Sequence, residues 1–342
     1  MLLTSNARKT RRRAGLTAAL ATVAPWCAVQ AQVVAPDGPR WLIVSNERSH
    51  DLTVIDGRTL RVEGSIPVGA RARGVKLAPD GRTVLVALSG DAPRMPHPSD
   101  GIAVVDLATR TVVRRYKAGT DPEQFAITPD GRRIIAANED AGTASSIDPA
   151  TGKVRVALVV GTEPEGVTAS PDGRWVYVTG ETSNTVSVID VAAERVVSTF
   201  LVDARPRSVA FSADGRFAYV TSEVGGSVAR VDARAHRVLA RARVGTGEER
   251  PVGVVVSPDG RRVYLATGAA HALVALDAAT LREVGRVRVG RRPWGVALSP
   301  NGRFAYTANG LTDDVSVVDV RTMRVVRTVH AGTRPWGVAV VP

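Results

Sequence analysis

The stretch PEGVTASPDGRWVYVTGETSNTVSVIDVAAERVVSTFLV, residues 164–202, decides the fold. It divides into four short segments rich in Val, Ile, Tyr and Thr, a composition that favours β-strands packed on one or both faces. The first turn, Pro171-Asp172-Gly173, combines a fixed φ, a side chain that can bond its own backbone and a residue that accepts positive φ. A four-stranded antiparallel sheet is therefore predicted. Its strands cover residues 166–170, 175–180, 185–190 and 195–202.

The same unit recurs along the chain. The turn glycine recurs at Gly38, Gly81, Gly131, Gly173, Gly215, Gly260 and Gly302. The aspartate that ends the third segment recurs at Asp56, Asp106, Asp148, Asp190, Asp232, Asp277 and Asp319. Four strands in about 40 residues are typical of a propeller blade. The sequence therefore predicts an all-β, seven-bladed β-propeller that fills residues 32–342 as a single domain.

The two ends of the repeat array predict how the ring closes. Residues 40–44 match the second strand of the unit, and residues 334–340 match its first strand. The C-terminal strand is therefore expected to complete the first blade, which removes an open sheet edge.

The first 31 residues differ from the repeats and have the composition of an export signal. Five cations are followed by a run of mostly small apolar residues over 14–29 and by a small-residue cleavage site at Val29-Gln30-Ala31. A secretory signal over residues 1–31 is predicted, and with it a periplasmic or secreted protein with no membrane span. Retention of the segment as an anchor is the alternative. Cleavage would remove the single cysteine, Cys27.

Three segments resemble the Y-V-T-N signature of a known family. They are Tyr177-Val178-Thr179-Gly180, Tyr219-Val220-Thr221-Ser222 and Tyr306-Thr307-Ala308-Asn309. Residues 36–342 resemble the seven-bladed YVTN-repeat propellers, which are mostly exported bacterial proteins. Residues 203–207, 309–310 and 314–317 are similar to a subgroup found near quinone (PQQ)-dependent alcohol catabolism, although the loop 89–101 departs from that subgroup. The resemblance implies the fold and no settled activity.

One position of the loop that enters each innermost strand is expected to line a mouth of the central channel. In the pattern G-x-x-P-x-G the fifth residue varies from blade to blade. We call these residues the mouth ring: Arg73, Glu123, Glu165, Arg207, Val252, Trp294 and Trp336. One interpretation is a solvated rim that varies freely. The other is a shallow binding site with a charged wall and an aromatic wall.

The loop between the second and third strands adds acids to the same face. They are Glu47, Glu139, Glu181 and Glu223, with Asp121 and Glu163 nearby in the entry loops. A hard cation needs about six oxygen ligands in a tight shell. One acid per blade is expected to be too dispersed for that, so solvated acids and no metal site are predicted.

The loop of residues 89–101 interrupts the regular spacing, since it adds eight residues to the second unit. Its core is Pro93-Arg94-Met95-Pro96-His97, a stiff proline-rich segment. Loops of this kind often carry function on a rigid scaffold. A lid or a contact with a partner is one interpretation, and a neutral insertion is the other.

Missing motifs and the distribution of charge argue against several classes of protein. The chain has no G-x-S-x-G and no P-loop motif, and its five histidines lack the spacing of metal ligands. The arginines are spread over all repeats without interleaved aromatic residues, which disfavours nucleic-acid binding. The repeated aspartates are interpreted as turn formers. No catalytic residue, cofactor or metal is predicted.

The leading prediction is an exported, non-enzymatic scaffold that binds a protein partner or a small ligand on its loop-rich face, as a monomer. The alternative is a lactonase-like hydrolase at the channel mouth. Its candidate residues are Glu123, Glu139, Glu165 and Glu181. A third possibility, an accessory of a PQQ-dependent dehydrogenase system, follows from the subgroup resemblance alone.

Overall fold

The computed structural model describes residues 37–90 and 96–342. The predicted signal over 1–31 lies outside these residues. Their strands form seven separate four-stranded antiparallel sheets, each of which is one blade. The predicted all-β, seven-bladed propeller is confirmed. The described ranges contain no helix long and apolar enough to cross a membrane.

Each blade uses four consecutive strands, except the first, which takes one strand from the end of the chain. Blade 1 contains β1 (Trp41–Asn46), β2 (Asp51–Asp56), β3 (Val62–Pro67) and β28 (Pro335–Val341). Blade 2 contains β4 (Arg71–Leu77), β5 (Thr83–Ser89), β6 (Gly101–Asp106) and β7 (Thr111–Tyr116). Blade 3 contains β8 (Pro122–Ile127), β9 (Ile134–Asn138), β10 (Thr143–Asp148) and β11 (Lys153–Val159). Blade 4 contains β12 (Pro164–Ala169), β13 (Trp175–Gly180), β14 (Thr185–Asp190) and β15 (Arg195–Leu201).

The remaining three blades repeat the same order. Blade 5 contains β16 (Pro206–Phe211), β17 (Phe217–Ser222), β18 (Ser227–Asp232) and β19 (Arg237–Arg243). Blade 6 contains β20 (Pro251–Val256), β21 (Arg262–Thr267), β22 (Ala272–Asp277) and β23 (Glu283–Arg288). Blade 7 contains β24 (Pro293–Leu298), β25 (Phe304–Asn309), β26 (Asp314–Asp319) and β27 (Arg324–His330).

The ring closes as the sequence predicts. Strand β28 pairs antiparallel with β1, with Leu42 opposite Val340 and Val44 opposite Val338. The innermost strands of successive blades contact one another around the whole ring. Their close approach depends on glycine, since a Cβ at Gly166 would lie 2.5 Å from the carbonyl oxygen of Arg207 in the next blade.

The entry to each innermost strand is irregular, and this irregularity positions the mouth ring. In blade 4, Pro164 pairs with Gly180, but regular pairing resumes only at Val167. The bulge leaves Glu165 outside the regular ladder, at the channel mouth. Strand β12 therefore begins at Pro164, two residues earlier than predicted, whereas β13 and β14 have the predicted bounds.

The repeated aspartates form turns, as predicted. Asp232, for example, accepts hydrogen bonds from the backbone N–H groups of Arg234 and Ala235 at 2.9 and 3.0 Å. The glycine of the Pro171-Asp172-Gly173 turn has a φ of 72°, which explains the choice of residue. The core between the blades is largely aliphatic, with tyrosines such as Tyr177 and Tyr219 buried in it.

Candidate functional site

The loops that precede the innermost strands share one face with the loops between second and third strands. This is shown by direct contacts between the two sets, such as the ion pairs of Arg207 with Glu181 and Glu223. The predicted mouth therefore exists. Its residues form two groups that differ in burial and in pairing.

The first group is the Arg207 cluster, which consists of Arg207, Glu165, Glu181 and Glu223. The guanidinium of Arg207 pairs with Glu165 and Glu181, and its Nε donates to Glu223 Oε2 at 2.7 Å. All four residues are buried, with exposed fractions of 8% or less. The interpretation of these positions as a solvated rim is wrong, because the loops of blades 4 and 5 close over one another.

Arginines surround the outer side of this cluster. Arg292 donates to Glu223 Oε1 at 3.0 Å, and Arg205 lies 2.8 Å from Glu181. Burial by itself would raise the pKa of Glu223, but Arg207 and the other two arginines outweigh it and hold that pKa below its usual value. Glu223 is therefore ionised, and Arg205, Arg207 and Arg292 together oppose the three acids of the cluster.

The predicted aromatic wall adjoins this cluster. The rings of Trp294 and Trp336 stack at 6.2 Å between centroids, with an interplanar angle of 15°. The guanidiniums of Arg292 and Arg207 lie 4.3 and 5.3 Å from the centroid of the Trp294 ring. These distances place the two cations within cation–π range of the indole. The charged and aromatic walls thus form one continuous surface.

The second group is the carboxylate cluster, which consists of Asp121, Glu123 and Glu139 of blade 3. One carboxylate oxygen of each lies within 4.8 Å of the others. The expectation that the acids would be too dispersed is wrong, because two loops of the same blade bring three acids together. Arg73 pairs with Glu123 and lies 3.8 Å from Glu139.

Burial and mutual repulsion make this cluster electrostatically different from the first. Burial raises the pKa of Asp121, and the charge of Glu139 adds to the effect. Burial also raises the pKa of Glu139, with a further contribution from Glu163, although Arg207 and Arg71 oppose it. The side chain of Glu139 remains 26% exposed. Glu139 is therefore the accessible carboxyl group of the cluster.

Beside the cluster lies a cleft of about 830 Å³, the mouth cleft. The residues that line it include cations from blades 1 and 2 and acids from blades 3 and 4. The charged residues are Arg48, Arg71, Arg73, Asp121, Glu123, Glu139, Asp140 and Glu163. Arg71 is held in place by Glu47, at 2.7 Å, and by the carbonyl oxygen of Gly90, at 3.1 Å. The cleft can hold a small polar molecule between a cationic and an acidic side.

The ends of the irregular loop adjoin this cleft. Asp100 accepts hydrogen bonds from the backbone N–H groups of Gly90 and His97, both at 2.9 Å, and from that of Asp121 at 3.4 Å. Pro96 and His97 are exposed. The other predicted contact residues of the loop, Pro93, Arg94 and Met95, lie outside the described residues.

The carboxylate cluster has donors that suit a hard divalent cation. Three carboxylates supply only part of the six to eight oxygens that Ca²⁺ or Mg²⁺ takes, so water or a ligand would complete the shell. The guanidinium of Arg73 competes for Glu123. A cation would therefore have to displace an existing ion pair.

The sequence interpretation missed several residues of the site, although a signal was available. The third position of the G-x-x-P-x-G pattern is also charged in every blade. Its residues are Arg71, Asp121, Glu163, Arg205, Arg250, Arg292 and Arg334. Aligning this position as well as the fifth would have identified Arg71 and Arg292 as mouth residues.

Two family models match parts of the chain. Residues 198–341 match the model for the lactonases with a seven-bladed β-propeller. Residues 99–248 match the model of the choice-of-anchor I domain. Each match covers less than half of the chain, so these matches establish a relation to propeller proteins, lactonases among them.

A curated sequence and two solved structures are also similar to this chain. Antigen Lp49 of Leptospira interrogans is 26% identical over 113 residues, which span 30% of this chain and 24% of that protein. Hydrazine synthase of Kuenenia stuttgartiensis is 25% identical, with a TM-score of 0.73 over 84% of this chain and 94% of that one. The periplasmic gluconolactonase of Pseudomonas aeruginosa is 24% identical, with a TM-score of 0.73 over 88% and 99%. The last likeness is evidence of the fold alone.

Proposed function

We propose that this protein is a lactonase-like hydrolase whose reaction takes place in the mouth cleft. The observation that carries the proposal is Glu139, a half-buried carboxyl group of raised pKa that lies 3.8 Å from the guanidinium of Arg73 at the edge of this cleft. A raised pKa suits a general base, and a guanidinium suits a developing oxyanion. The lactonase model that matches residues 198–341 supports the reaction class.

The residues have distinct roles in the proposed reaction. The Glu139 carboxylate takes a proton from a water molecule, whose oxygen adds to the lactone carbonyl carbon. The negative charge on the carbonyl oxygen is stabilised by Arg73 or Arg71. The ring carbon–oxygen bond then breaks, and the ring oxygen leaves as a hydroxyl group with the proton from Glu139. The product is a hydroxy acid.

The sequence identifies four candidate acids for this reaction, and the structure favours Glu139 among them. Glu165 and Glu181 are buried and paired with Arg207. Glu123 is paired with Arg73. Glu139 has the most exposed side chain of the four, and burial raises its pKa. The predicted export signal over residues 1–31 supports a location of the proposed enzyme in the periplasm or outside the cell.

The test is hydrolysis of a panel of γ- and δ-lactones by the purified protein, corrected for spontaneous hydrolysis. The matched control for Glu139→Gln is Glu181→Gln, since the two acids occupy the same loop position in neighbouring blades. Glu139→Gln should lower kcat/KM by about 10²- to 10⁴-fold, whereas folded Glu181→Gln should remain active. No lactone hydrolysis, or an unaffected Glu139→Gln variant, would contradict the proposal. Repeating the assay with a chelator and with Ca²⁺ or Mg²⁺ tests whether the carboxylate cluster acts through a cation.

The binding scaffold remains the second candidate, and the stacked pair of Trp294 and Trp336 favours it. Aromatic residues beside arginines are typical of the centres of protein interfaces. A protein partner captured by the wild type should then be lost in a Trp294→Ala, Trp336→Ala double variant. If this variant still captured the partner, the partner would have to contact another part of the protein.

A further inference from the structure

A single lysine breaks the repeat inside the central channel. Lys76 lies on β4, three residues after Arg73, and is paired with Leu85 of the next strand. The matching register identifies the equivalent residue in each other blade. These residues are Ala126, Thr168, Ala210, Val255, Ala297 and Ala339. All six are smaller than lysine and uncharged, so blade 2 alone carries a charge at this level of the ring.

Lys76 lies where the channel meets the face opposite the mouth. It lines a cavity of about 140 Å³ inside the channel, which is the space between the innermost strands. It also lines a second cavity of about 620 Å³, bordered by the turn residues Pro79, Gly81 and Pro129 and by Pro342. These turns follow the innermost strands, whereas the mouth loops precede them. A small molecule could therefore reach Lys76 without passing through the mouth cleft.

The described residues around Lys76 provide no counterion for its ammonium group. Of the described residues that line the two cavities, the only carboxylate side chain is that of Glu165, which is buried and paired with Arg207. Neighbouring strands β1, β5 and β28 carry no titratable side chain.

The other titratable groups of the strands near β4 are already bonded. On β8, Glu123 pairs with Arg73. On β2, Asp51 accepts a hydrogen bond from Asn46, and Asp56 accepts backbone N–H bonds from its own turn. No ion pair joins Lys76 to any described residue, including Pro342.

The walls of the channel indicate which anion would suit this position. The side chains around the channel include Val75, Val254 and Val338, with Gln124, Thr168 and Ser208 as uncharged polar exceptions. The other charged residues of this lining, Glu165 and Arg207, are paired with each other. A phosphate or sulfate needs several convergent donors. Of the donors beside Lys76, the Thr168 hydroxyl already donates to the carbonyl oxygen of Val209, and the guanidinium of Arg207 is paired with acids. A carboxylate with a short apolar tail matches both the charge and the walls.

We propose that Lys76 binds a short-chain carboxylate that enters the channel from the face opposite the mouth. The proposal is independent of lactone hydrolysis. The ammonium group contributes the charge, and the valines of the innermost strands contact the tail. Burial also lowers the pKa of Lys76 to about 8, and a bound carboxylate would oppose that desolvation and raise it.

The small number of lysines makes a direct test feasible. The full chain has four lysines: Lys9, Lys76, Lys117 and Lys153. Reductive methylation with ¹³C-formaldehyde therefore gives few NMR signals, and the Lys76 signal is assigned by its loss in Lys76→Met. Sodium butyrate is then titrated at pH 7 and constant ionic strength, with sodium chloride and sodium sulfate as parallel series. The Lys76 signal should move saturably with butyrate alone. In a separate pH titration, saturating butyrate should raise the pH midpoint of the Lys76 signal by a unit or more.

Unmodified protein provides the second measurement. Butyrate should raise the Tm of the wild type and leave that of Lys76→Ala unchanged. The alanine variant is expected to fold because four other blades have alanine at this position. A Lys76 signal indifferent to butyrate, an equal response to sulfate, or an equal Tm increase in Lys76→Ala would each overturn the proposal.

Discussion

The two halves of the mouth are built from the same loop positions and differ in what the neighbouring blade supplies. Blades 3 and 4 each have acids at all three positions: Asp121, Glu123 and Glu139 in blade 3, and Glu163, Glu165 and Glu181 in blade 4. Blade 5 offers Arg205 and Arg207, and both pair with the acids of blade 4. Blade 2 offers Arg71 and Arg73, but Arg71 is already held by Glu47.

This difference separates a region of paired acids from the region where we propose the reaction. In the Arg207 cluster every buried acid is paired with an arginine, and the pKa of Glu223 is lowered. In the carboxylate cluster the positive charge is insufficient, and burial leaves Asp121 and Glu139 with raised pKa values. Perturbed carboxyl groups in a cleft are typical of functional sites. The partner of each acid, more than the acid itself, determines its role.

The largest predicted effect comes from removing the central cation of the Arg207 cluster. Arg207→Met leaves buried acids without their partner and should lower the free energy of unfolding by about 3–5 kcal/mol. Urea denaturation at pH 7 measures it. Arg205→Met is the control, since Arg205 is half exposed and its loss should cost about 1 kcal/mol or less. Equal effects of the two substitutions would show that burial does not distinguish them.

Lys76 extends the comparison to a charge with no partner. Its pKa is lowered from 10.5 to about 8, so the unfolded chain binds the proton more tightly than the folded one. Lys76→Met should therefore stabilise the protein by about 3 kcal/mol at pH 7 in buffer without carboxylates. The gain should shrink as the pH rises from 8 to 10.5, because the wild type regains stability over that window. Urea denaturation at pH 7, 9 and 10.5 measures this, and a gain that does not change with pH would contradict it.

A smaller effect is expected at the aromatic wall. Trp294→Leu removes the ring that faces Arg207 and Arg292 and should cost about 1–2 kcal/mol beyond the change in apolar area. A double-mutant cycle with Arg292→Met isolates the coupling, which should be about 0.5–1 kcal/mol. A coupling indistinguishable from zero would mean that the arginines contact the indole without stabilising it.

The smallest predicted effect tests the acidic half of the cleft. Glu163 raises the pKa of Glu139, so Glu163→Gln should lower it. A general base must be deprotonated to act, so the acidic limb of the kcat/KM profile should move to lower pH in this variant. A limb that stays in place, or moves to higher pH, would show that another group controls it.

The sequence predicts the fold well because each blade repeats the same local chemistry. Turn glycines, turn aspartates and alternating apolar residues recur at a fixed spacing, and β13 and β14 begin and end where the pattern predicts. The mouth ring is also predicted, and Arg73 and Arg207 lie beside Glu123 and Glu165 as their adjacent positions imply.

The geometry of the site was predicted less well for two physical reasons. Acids at one loop position of successive blades are far apart, whereas Asp121 and Glu139 come from two loops of the same blade. Burial depends on how neighbouring blades tilt their loops over one another, and no repeat pattern encodes that tilt. Lys76 also departs from the repeat pattern, but it lies on strand β4, outside the mouth loops that carry the other charged positions.

The most direct measurement of the central difference is a ¹³C NMR titration of the glutamate carboxyl groups, with signals assigned by Glu139→Gln and Glu223→Gln. The two acids share a loop position, in blades 3 and 5. The Glu139 signal should titrate above its ordinary pKa of 4.5, and the Glu223 signal should titrate below it. Midpoints on the same side of 4.5, or in the reverse order, would contradict the division of the mouth into a paired half and a reactive half.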